Sequence, residues 1–285
     1  MNLNCTWREM MREAAQRLAA AGVENAPRDA RLLLAHALGI EPVEVIVREM
    51  DAVDAVGLTE FEAAISRRLK GEPVSRIRGW REFYRRRFKV TADVLDPRPE
   101  TELLVEEGIA RLSPGGRVLD LGTGSGCILV SVLAECPGAS GTGVDISPAA
   151  LAVAKQNAEA LGVADRASFI EGSWDAASGP FDLVLSNPPY VTEAEFEALP
   201  RDVRNHDPHI ALAGGRDGLD PYHLILAQAD RLLAPGGSMG FEFGALQGEA
   251  VAELMDNAGL IDIELLEDLA GLSRAAFGRR PGVSA

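Results

Sequence analysis

Cysteine and histidine, the residues that most often form disulfides, bind metals or move protons, are scarce in this chain of 285 residues. The three cysteines, Cys5, Cys127 and Cys136, contain no C-x-x-C pair, and their odd number predicts reduced thiols rather than a disulfide framework. The four histidines are scattered, so we expect neither a metal site nor a histidine base. Structural use is expected for all four, and His206 and His209 rank ahead of the other two for a chemical role only because they follow the second motif described below.

Long apolar runs are also missing. No run approaches the roughly 20 residues that a membrane-spanning helix needs. Arg8, Glu9, Arg12 and Glu13 interrupt the apolar residues of the N-terminus, which is unlike a signal peptide. We therefore expect a cytoplasmic protein without a membrane partner.

Basic residues are outnumbered, with 28 Lys and Arg against 43 Asp and Glu and a net charge of −15. This balance argues against stable nucleic-acid binding, because such affinity comes from basic side chains that neutralise phosphates. Residues 67–89 are an exception, since ten Lys and Arg accompany only Glu72 and Glu82 there. This basic stretch is either a docking surface for an acidic partner or RNA, or a solvated segment whose arginines pair with acidic residues of the chain.

The apolar spacing divides the chain into a helical part and an α/β part. Trp7, Met10, Met11, Ala14 and Leu18 recur at helical spacing, and residues 1–75 are predicted to form a small helical domain. Residues 76–98 are predicted to be a basic linker with a short hairpin of strands 87–90 and 92–95. From residue 99 to 285, strands alternate with helices, which predicts a doubly wound α/β sheet.

A glycine-rich loop, Asp120-Leu121-Gly122-Thr123-Gly124-Ser125-Gly126, lies between a short apolar strand and a helical segment. Glycines allow sharp turns and close approach to a ligand, and a helix start presents N–H groups to an anionic moiety. Asp145 ends the next strand about 20 residues later, where a carboxylate can accept from ribose hydroxyls. The loop indicates a nucleotide-like cofactor. An NAD-type site and a purely structural turn are the alternatives.

The second motif, Asn187-Pro188-Pro189-Tyr190, follows the apolar strand Phe181–Ser186. Open α/β sheets bind ligands where such strands end. The Asn187 carboxamide oxygen and the Pro188 carbonyl offer two acceptors to one planar NH2 group, and Tyr190 offers a flat face beside it. The motif therefore favours a site for an amide or exocyclic amine, with an ordinary turn as the alternative.

Together the two motifs resemble S-adenosylmethionine-dependent methyltransferases that act on planar NH2 groups. Six further segments, in order, resemble the peptide chain release factor N5-glutamine methyltransferase family (HemK/PrmC). These six segments, in addition to the two motifs above, are Gly71-Glu72-Pro73-Val74, Phe83-Tyr84, Pro97-Arg98-Pro99-Glu100-Thr101-Glu102, Gly172-Ser173-Trp174, Gly214-Gly215-Arg216-Asp217-Gly218-Leu219 and Asp268-Leu269-Ala270-Gly271. Three positions depart from the family's usual pattern, which has an apolar residue at Asp96, glycine at Arg85 and an acidic residue at Ser173.

The resemblance implies a Rossmann-like class I methyltransferase sheet and S-adenosyl-L-methionine as cofactor. Cofactor binding is expected from Gly122, Thr123, Gly124, Ser125, Gly126, Asp145, Trp174 and Asn187. Substrate binding is expected from Asn187, Pro188, Pro189 and Tyr190, of which Asn187, Pro188 and Tyr190 would be catalytic. Trp174 would pack near the adenine, with plain core packing as its alternative. The implied partners are bacterial-type class I peptide chain release factors, methylated on the glutamine of their Gly-Gly-Gln tripeptide.

Three other functions stay open at this point. A glutamine methyltransferase acting on a ribosomal protein would share every catalytic residue. A DNA amino-methyltransferase would need a basic groove and a target-recognition domain, and the acidic α/β part argues against both. A non-catalytic protein that keeps the cofactor fold would not need the intact Asn-Pro-Pro-Tyr motif.

Overall fold

The computed structural model describes residues 5–52 and 54–282. It divides into two units. The first is helical, extends to Trp80 and includes Arg201–His206, and the second consists of Arg81–Pro200 and the chain from Asp207 onward.

The helices and strands are numbered in chain order. The helices are α1 (Trp7–Ala20), α2 (Ala26–Leu38), α3 (Pro42–Val47), α4 (Ala55–Leu69), α5 (Val74–Arg78), α6 (Glu102–Arg111), α7 (Cys127–Glu135), α8 (Pro148–Ala160), α9 (Glu193–Phe196), α10 (Arg201–His206), α11 (Asp220–Leu226), α12 (Ala229–Leu232) and α13 (Gly248–Asn257). The strands are β1 (Trp80–Phe83), β2 (Arg86–Lys89), β3 (Arg117–Leu121), β4 (Ser140–Asp145), β5 (Ala167–Glu171), β6 (Phe181–Ser186), β7 (Leu233–Glu242), β8 (Ile261–Glu267) and β9 (Ser273–Arg279). Short 3₁₀ turns span Pro99–Thr101 and His209–Ala211.

The helical unit is built around the apolar stripe of α1. Thr6 caps this helix, and Thr6 and Glu9 form a reciprocal capping box that satisfies free N–H groups of the first turn. Trp7, Met10, Ala14 and Leu18 are buried against α2 and α4 side chains that include Leu33 and Phe61. The predicted helical stripe is therefore a core stripe. Burial of each large side chain contributes on the order of 1.5–3 kcal/mol.

The second unit contains a seven-stranded sheet, within the described part of the chain, in the order β5-β4-β3-β6-β7-β9-β8. Its strands are parallel except β9, which pairs antiparallel with both β7 and β8. The chain leaves β3 toward β4 and β5 and returns on the other side through β6 and β7. The order thus reverses between β3 and β6, the place where open α/β sheets bind ligands.

Helices cover both faces of this sheet. Leu104 of α6 and Ile128 of α7 pack with the hairpin residues Phe83 and Phe88 in one buried cluster. Tyr222 of α11 and Met255 of α13 pack in the other cluster. This two-faced coverage confirms the predicted doubly wound α/β fold. None of the helices in residues 5–52 and 54–282 has the length and apolar character to cross a bilayer.

The hairpin near residue 85 differs from the prediction, because its strands are β1 and β2, at residues 80–83 and 86–89. Residues 92–95 form no strand, and Val90 and Val94 are buried in a small cluster with Ala150 of α8 instead. The turn forms where Tyr84 and Arg85 adopt φ values of 45° and 59°. Two consecutive residues with positive φ give the turn twist that suits a two-residue hairpin.

Candidate functional site

The two sequence motifs lie side by side at the reversal point of the sheet. Leu121, just before the glycine loop, pairs in register with Ser186, just before Asn187. The Ser186 hydroxyl donates to the Leu121 carbonyl at 2.7 Å and ties the two strand ends together. The loop after β3 and the Asn-Pro-Pro-Tyr segment after β6 therefore emerge at the same edge of the sheet.

The glycine loop folds over the end of β4. The Gly122 and Thr123 N–H groups both donate to the Val144 carbonyl at 2.9 Å, and the Gly124 N–H donates to Asp145 Oδ2 at 2.8 Å. Gly126 begins α7 with φ 78°, and a Cβ at this position would lie 3.1 Å from the Ala154 Cβ. Glycine at 126 thus meets both a conformational and a packing requirement.

Asp145 organises the backbone around the loop with both of its carboxylate oxygens. Oδ2 accepts from Gly124, and Oδ1 accepts from the Ser147 N–H at 2.9 Å. Each carboxylate oxygen has two lone-pair sites, so both can still accept a hydroxyl hydrogen. The half-buried side chain is thus held in one orientation at the edge of the site.

Trp174 lies against the first glycine of the loop. A Cβ at Gly122 would be 3.4 Å and 3.5 Å from two carbons of the indole ring. The ring is half-buried and packs on the core cluster of α11 to α13. Trp174 therefore serves the core and also borders the loop, so the two interpretations of this residue are compatible.

Thr123 and Ser125 turn their side chains into the protein. Both residues are buried, and the Thr123 hydroxyl donates to Asp120 Oδ2 at 2.6 Å. Burial raises the pKa of Asp120 to about 7, while the hydrogen bonds from Thr123 and Leu129 lower it. In this geometry these two loop residues offer backbone groups to a ligand rather than hydroxyls.

Asn187 is half-buried, with its Nδ2 donating to the Thr101 hydroxyl at 3.2 Å. Pro188 is buried, and Pro189 and Tyr190 are half-buried. Burial raises the pKa of the Tyr190 phenol well above its usual value, so this side chain stays neutral. The motif therefore presents neutral polar groups and an aromatic ring.

The segment 212–218 and Gln247 hold the backbone of this motif. Val191 exchanges backbone hydrogen bonds with Leu212 and Gly214, both at 2.9 Å. A Cβ at Gly214 would lie 2.7 Å from the Tyr190 Cα, so the backbones touch there. Gln247 Nε2 donates to the Tyr190 carbonyl at 3.1 Å. These contacts explain why the Gly214–Leu219 motif accompanies Asn-Pro-Pro-Tyr in the sequence.

The Pro97–Glu102 motif lies beside the site and makes three contacts with residues distant in the sequence. Arg98 pairs with the buried Asp207 at 2.7 Å, Thr101 contacts Asn187, and Glu102 Oε1 accepts from the Tyr84 N–H at 2.8 Å. The motif thus links the hairpin turn to Asn187.

Sequence reasoning missed one buried carboxyl group, that of Glu242 at the end of β7. It is 3% exposed, and burial raises its pKa to about 7, while the neighbouring polar side chains of Thr101 and Asn187 lower it. The available signal was a single acidic residue within the apolar run Ser238-Met239-Gly240-Phe241-Glu242-Phe243.

The other sequence candidates have structural surroundings. The His209 ring packs edge-on against Phe196 with centroids 4.8 Å apart, and His206 lies beside Gly71 and Glu72 of the helical unit. The three cysteines carry free thiols. Among the described residues, no group of three or more His, Cys, Asp or Glu side chains is arranged to hold a metal.

Many cations of the basic stretch have partners. In the helical unit, Arg67 pairs with Glu72 and Arg68 pairs with Asp29. In the second unit, Arg86 pairs with Glu135 at 2.8 Å. These ion pairs support the interpretation in which the arginines neutralise acidic residues of the chain.

Two family models match the chain. The profile of the PrmC N-terminal domain matches residues 9–79, and that of the methyltransferase small domain matches residues 92–202.

Two similar proteins are release factor glutamine methyltransferases. That of Rhodospirillum rubrum is 50% identical, with the match covering 95% of this chain and 84% of the relative, and that of Cereibacter sphaeroides is 49% identical, covering 96% and 98%. The crystal structure of a methyltransferase from Pyrococcus furiosus, at 17% identity and a TM-score of 0.52 over 69% of this chain and 89% of that one, shares the fold. The chain belongs to the release factor glutamine methyltransferase family, as its motifs indicated.

Proposed function

We propose that this protein transfers a methyl group from S-adenosyl-L-methionine to the side-chain amide nitrogen of the glutamine in the Gly-Gly-Gln motif of bacterial-type class I release factors. The position of Asn187 is the observation that carries the proposal. It follows Ser186, the register partner of Leu121, so an acceptor for an NH2 group lies next to the glycine loop. Family membership supports the same reaction.

The residues around the loop fit S-adenosylmethionine. Its ribose hydroxyls suit the fixed Asp145 carboxylate, and its adenine suits the flat ring of Trp174 beside Gly122. Residues Gly122 to Gly126, including Thr123, Gly124 and Ser125, would line the methionine and ribose side through their backbone. When bound, this cofactor supplies a methyl group already activated on a positively charged sulfur.

The protein must compensate for a poor nucleophile, because the lone pair of an amide nitrogen is delocalised into its carbonyl. The Asn187 side-chain oxygen and the Pro188 carbonyl each accept one N–H of the substrate and aim the nitrogen lone pair. Pro189 and Tyr190 shape the slot around the planar amide. The two acceptors also stabilise the positive charge that builds up on nitrogen as it gains the methyl group. The nitrogen then releases one proton to water.

The two units suggest a division of labour. We infer that the helical domain, residues 1–75, recognises the release factor, that residues 76–98 connect the parts, and that residues 99–285 carry the chemistry. This role requires no stable nucleic-acid or membrane partner, and we place it in the cytoplasm, where translation terminates.

A single labelling experiment tests the function. The protein is incubated with radiolabelled S-adenosylmethionine and, separately, a class I release factor, the same factor with its Gly-Gly-Gln glutamine replaced by asparagine, a ribosomal protein and duplex DNA. We expect label only on the unaltered release factor. Label on the ribosomal protein alone would favour the sister glutamine methyltransferase, and label on DNA would overturn the proposal.

A further inference from the structure

A buried polar network surrounds the back of the Asn187 side chain. Thr101, 2% exposed, comes from the 3₁₀ turn before α6, and Glu242, 3% exposed, comes from the end of β7. The Asn187 Nδ2 donates to the Thr101 hydroxyl at 3.2 Å. Both side chains also lie close enough to the Glu242 carboxyl group to favour its ionised form, which lowers its pKa against the effect of burial. Three side chains far apart in sequence thus meet at one point.

Burial of the Glu242 carboxyl group in a core strand is unfavourable for folding. Its Oε2 is buried and has no hydrogen-bond partner within residues 5–52 and 54–282. The Tyr222 hydroxyl binds the backbone carbonyl of Glu242 at 2.8 Å, so it does not satisfy the carboxyl group. Burying a carboxyl group with incomplete hydrogen bonding costs stability. Packing alone therefore gives no reason for an acid at this position.

We propose that Thr101 and Glu242 are positioning residues that fix the Asn187 carboxamide with its NH2 group inward and its oxygen toward the substrate amide. The proposal rests on the proposed function, since it assigns these residues to the same reaction.

The number of donors and acceptors in the network supports one orientation. An ionised carboxylate can only accept hydrogen bonds, whereas a hydroxyl donates one and accepts others. The Thr101 hydroxyl accepts from the Asn187 NH2 group at 3.2 Å, so its own hydrogen can turn toward the neighbouring Glu242 carboxyl group, whose ionised form both side chains favour. With the amide reversed, the Asn187 oxygen would face the carboxylate, and two acceptors would meet. The carboxamide oxygen is thereby left as the atom that can accept from a substrate.

Protonation of Glu242 removes the preference for one orientation of the Asn187 carboxamide. A neutral carboxyl group can donate to the Asn187 oxygen and so allow the reversed orientation. Burial places this titration near neutral pH, since it raises the pKa of Glu242 to about 7. The charged or titratable groups that act on Glu242 are Glu100, which raises its pKa, and Arg274, which lowers it, and Tyr190, Tyr222 and Cys127 also interact with it. The turnover number is thus expected to rise with pH through about 7.

The test compares shape-conserving variants of the full-length protein. Thr101→Val removes the hydroxyl, Thr101→Ser restores it, and Glu242→Gln keeps the volume but can present an NH2 group to Asn187. We expect Thr101→Val and Glu242→Gln to lower kcat by about 10- to 100-fold, the scale of a small misplacement at a reacting centre. Thr101→Ser should retain most of the activity.

Readouts other than kcat separate positioning from damage to the fold. The affinity for S-adenosylhomocysteine, measured by calorimetry, should change less than twofold in each variant. The rise of kcat through about pH 7 should be present in wild type and absent in Glu242→Gln. Thr142→Val on β4, which breaks the 2.9 Å contact with Ser168, and Glu159→Gln on α8 are matched controls expected to behave like wild type.

Each outcome bears on one proposal. If wild type methylates the release factor and Thr101→Val and Glu242→Gln match its kcat and pH profile, the positioning role is overturned. A Glu242→Gln protein with a low kcat that still rises through about pH 7, as in wild type, would also overturn the positioning role. If wild type itself leaves the release factor unlabelled, the proposed function fails instead.

Discussion

At the scale of single residues, the proposed chemistry depends most on Asn187. Asn187→Ala removes an acceptor for the substrate amide but little buried apolar surface, since the residue is half-buried at a strand end. We expect a single-turnover rate about 10²-fold lower, the scale seen when one preorganised transition-state partner is lost. The thermal midpoint should fall by only a few degrees, because the lost hydrogen bond to Thr101 is worth about 1 kcal/mol.

Asn187→Asp provides the sharper comparison. It keeps an acceptor but places a second carboxyl group beside the buried Glu242, and such pairs cannot both ionise easily. This variant should therefore be slow and also less stable than Asn187→Ala above neutral pH. Near-wild-type methyl transfer by either variant would contradict the mechanism, even with the family unchanged.

Asp145 has a second predicted role, that of holding the cofactor ribose. Asp145→Ala is expected to weaken S-adenosylmethionine binding by about 1–3 kcal/mol, because a charged hydrogen-bond acceptor is lost. Part of this loss comes from the loop, since Asp145 also accepts from Gly124 at 2.8 Å. Calorimetry measures the affinity, and Ser147→Ala, which removes only the cap of α8, is the control. Unchanged affinity in Asp145→Ala would exclude the ribose role.

The buried acids also make stability depend on pH. Burial raises the pKa of both Glu242 and Asp120 to about 7 in the folded protein. A raised pKa means that the protonated form favours folding, so this contribution is complete below the ordinary carboxyl range, about 4, and is lost as pH rises through 7. Wild type should lose stability between pH 5 and 8.5 for this reason.

Glu242→Gln removes one of the two titrations. The difference in free energy of unfolding between this variant and wild type, measured with urea, should shift in favour of the variant by about 1–3 kcal/mol as pH rises from 5 to 8.5. Asp120 is present in both proteins, so its contribution to the pH dependence of stability cancels when the two are compared. Parallel pH profiles for wild type and variant would show that Glu242 does not titrate in this range. A slower but more stable variant would show that the acid serves the reaction at the expense of the fold.

At the scale of elements, the hairpin turn places two side-chain-bearing residues, Tyr84 and Arg85, in left-handed conformations. Arg85 adopts φ 59°, a left-handed conformation that costs a side-chain-bearing residue about 1–2 kcal/mol. Arg85→Gly should raise the free energy of unfolding by about 0.5–1 kcal/mol, after allowing for the greater freedom of glycine in the unfolded chain. Chemical unfolding measures the change. Arg87→Gly, within strand β2, is the control and should destabilise the protein, and a loss of stability in Arg85→Gly would show that its side chain matters more than its backbone.

Several elements could be predicted from sequence, and the reasons are local. Strands β3 and β6 are buried parallel strands, so they appear as short apolar runs bounded by glycine or proline motifs. Strand β9 has no local signal because Ala275, Ala276 and Gly278 give no alternation, and its place between β7 and β8 depends on pairing across the sheet. The hairpin was placed too late because its turn uses Tyr84 and Arg85 rather than glycine or asparagine.

At the scale of the whole molecule, the site combines contiguous motifs with contacts that no local pattern reveals. The glycine loop and Asn-Pro-Pro-Tyr each lie in one stretch of sequence, and the sheet order brings them together as expected for a doubly wound fold. Thr101 and Glu242 reach Asn187 only through tertiary structure, and their residue types are common elsewhere. Local sequence patterns therefore point to the two motifs of the candidate site but not to the buried side chains that contact them across the fold.

The two units should respond to different ligands, and hydrogen–deuterium exchange on the full-length protein can resolve them. S-adenosylhomocysteine should slow exchange in the glycine loop, around Asp145 and around Trp174, since these backbone groups become shielded. A release factor should add protection in the helical unit, where Val43, Ile46, Val47, Met50 and Val56 are each more than half exposed.

This last prediction follows from the physics of apolar surface. An exposed group of large apolar side chains gains free energy when a partner covers it, at about 25 cal/mol per Å². A release factor whose Gly-Gly-Gln glutamine is replaced by asparagine should still protect the helical unit, because recognition there does not involve the reacting side chain. A ribosomal protein is the negative control. If the release factor protects only residues of the second unit, the helical domain is not the recognition domain, and the methyl-transfer reaction itself would be unaffected by that result.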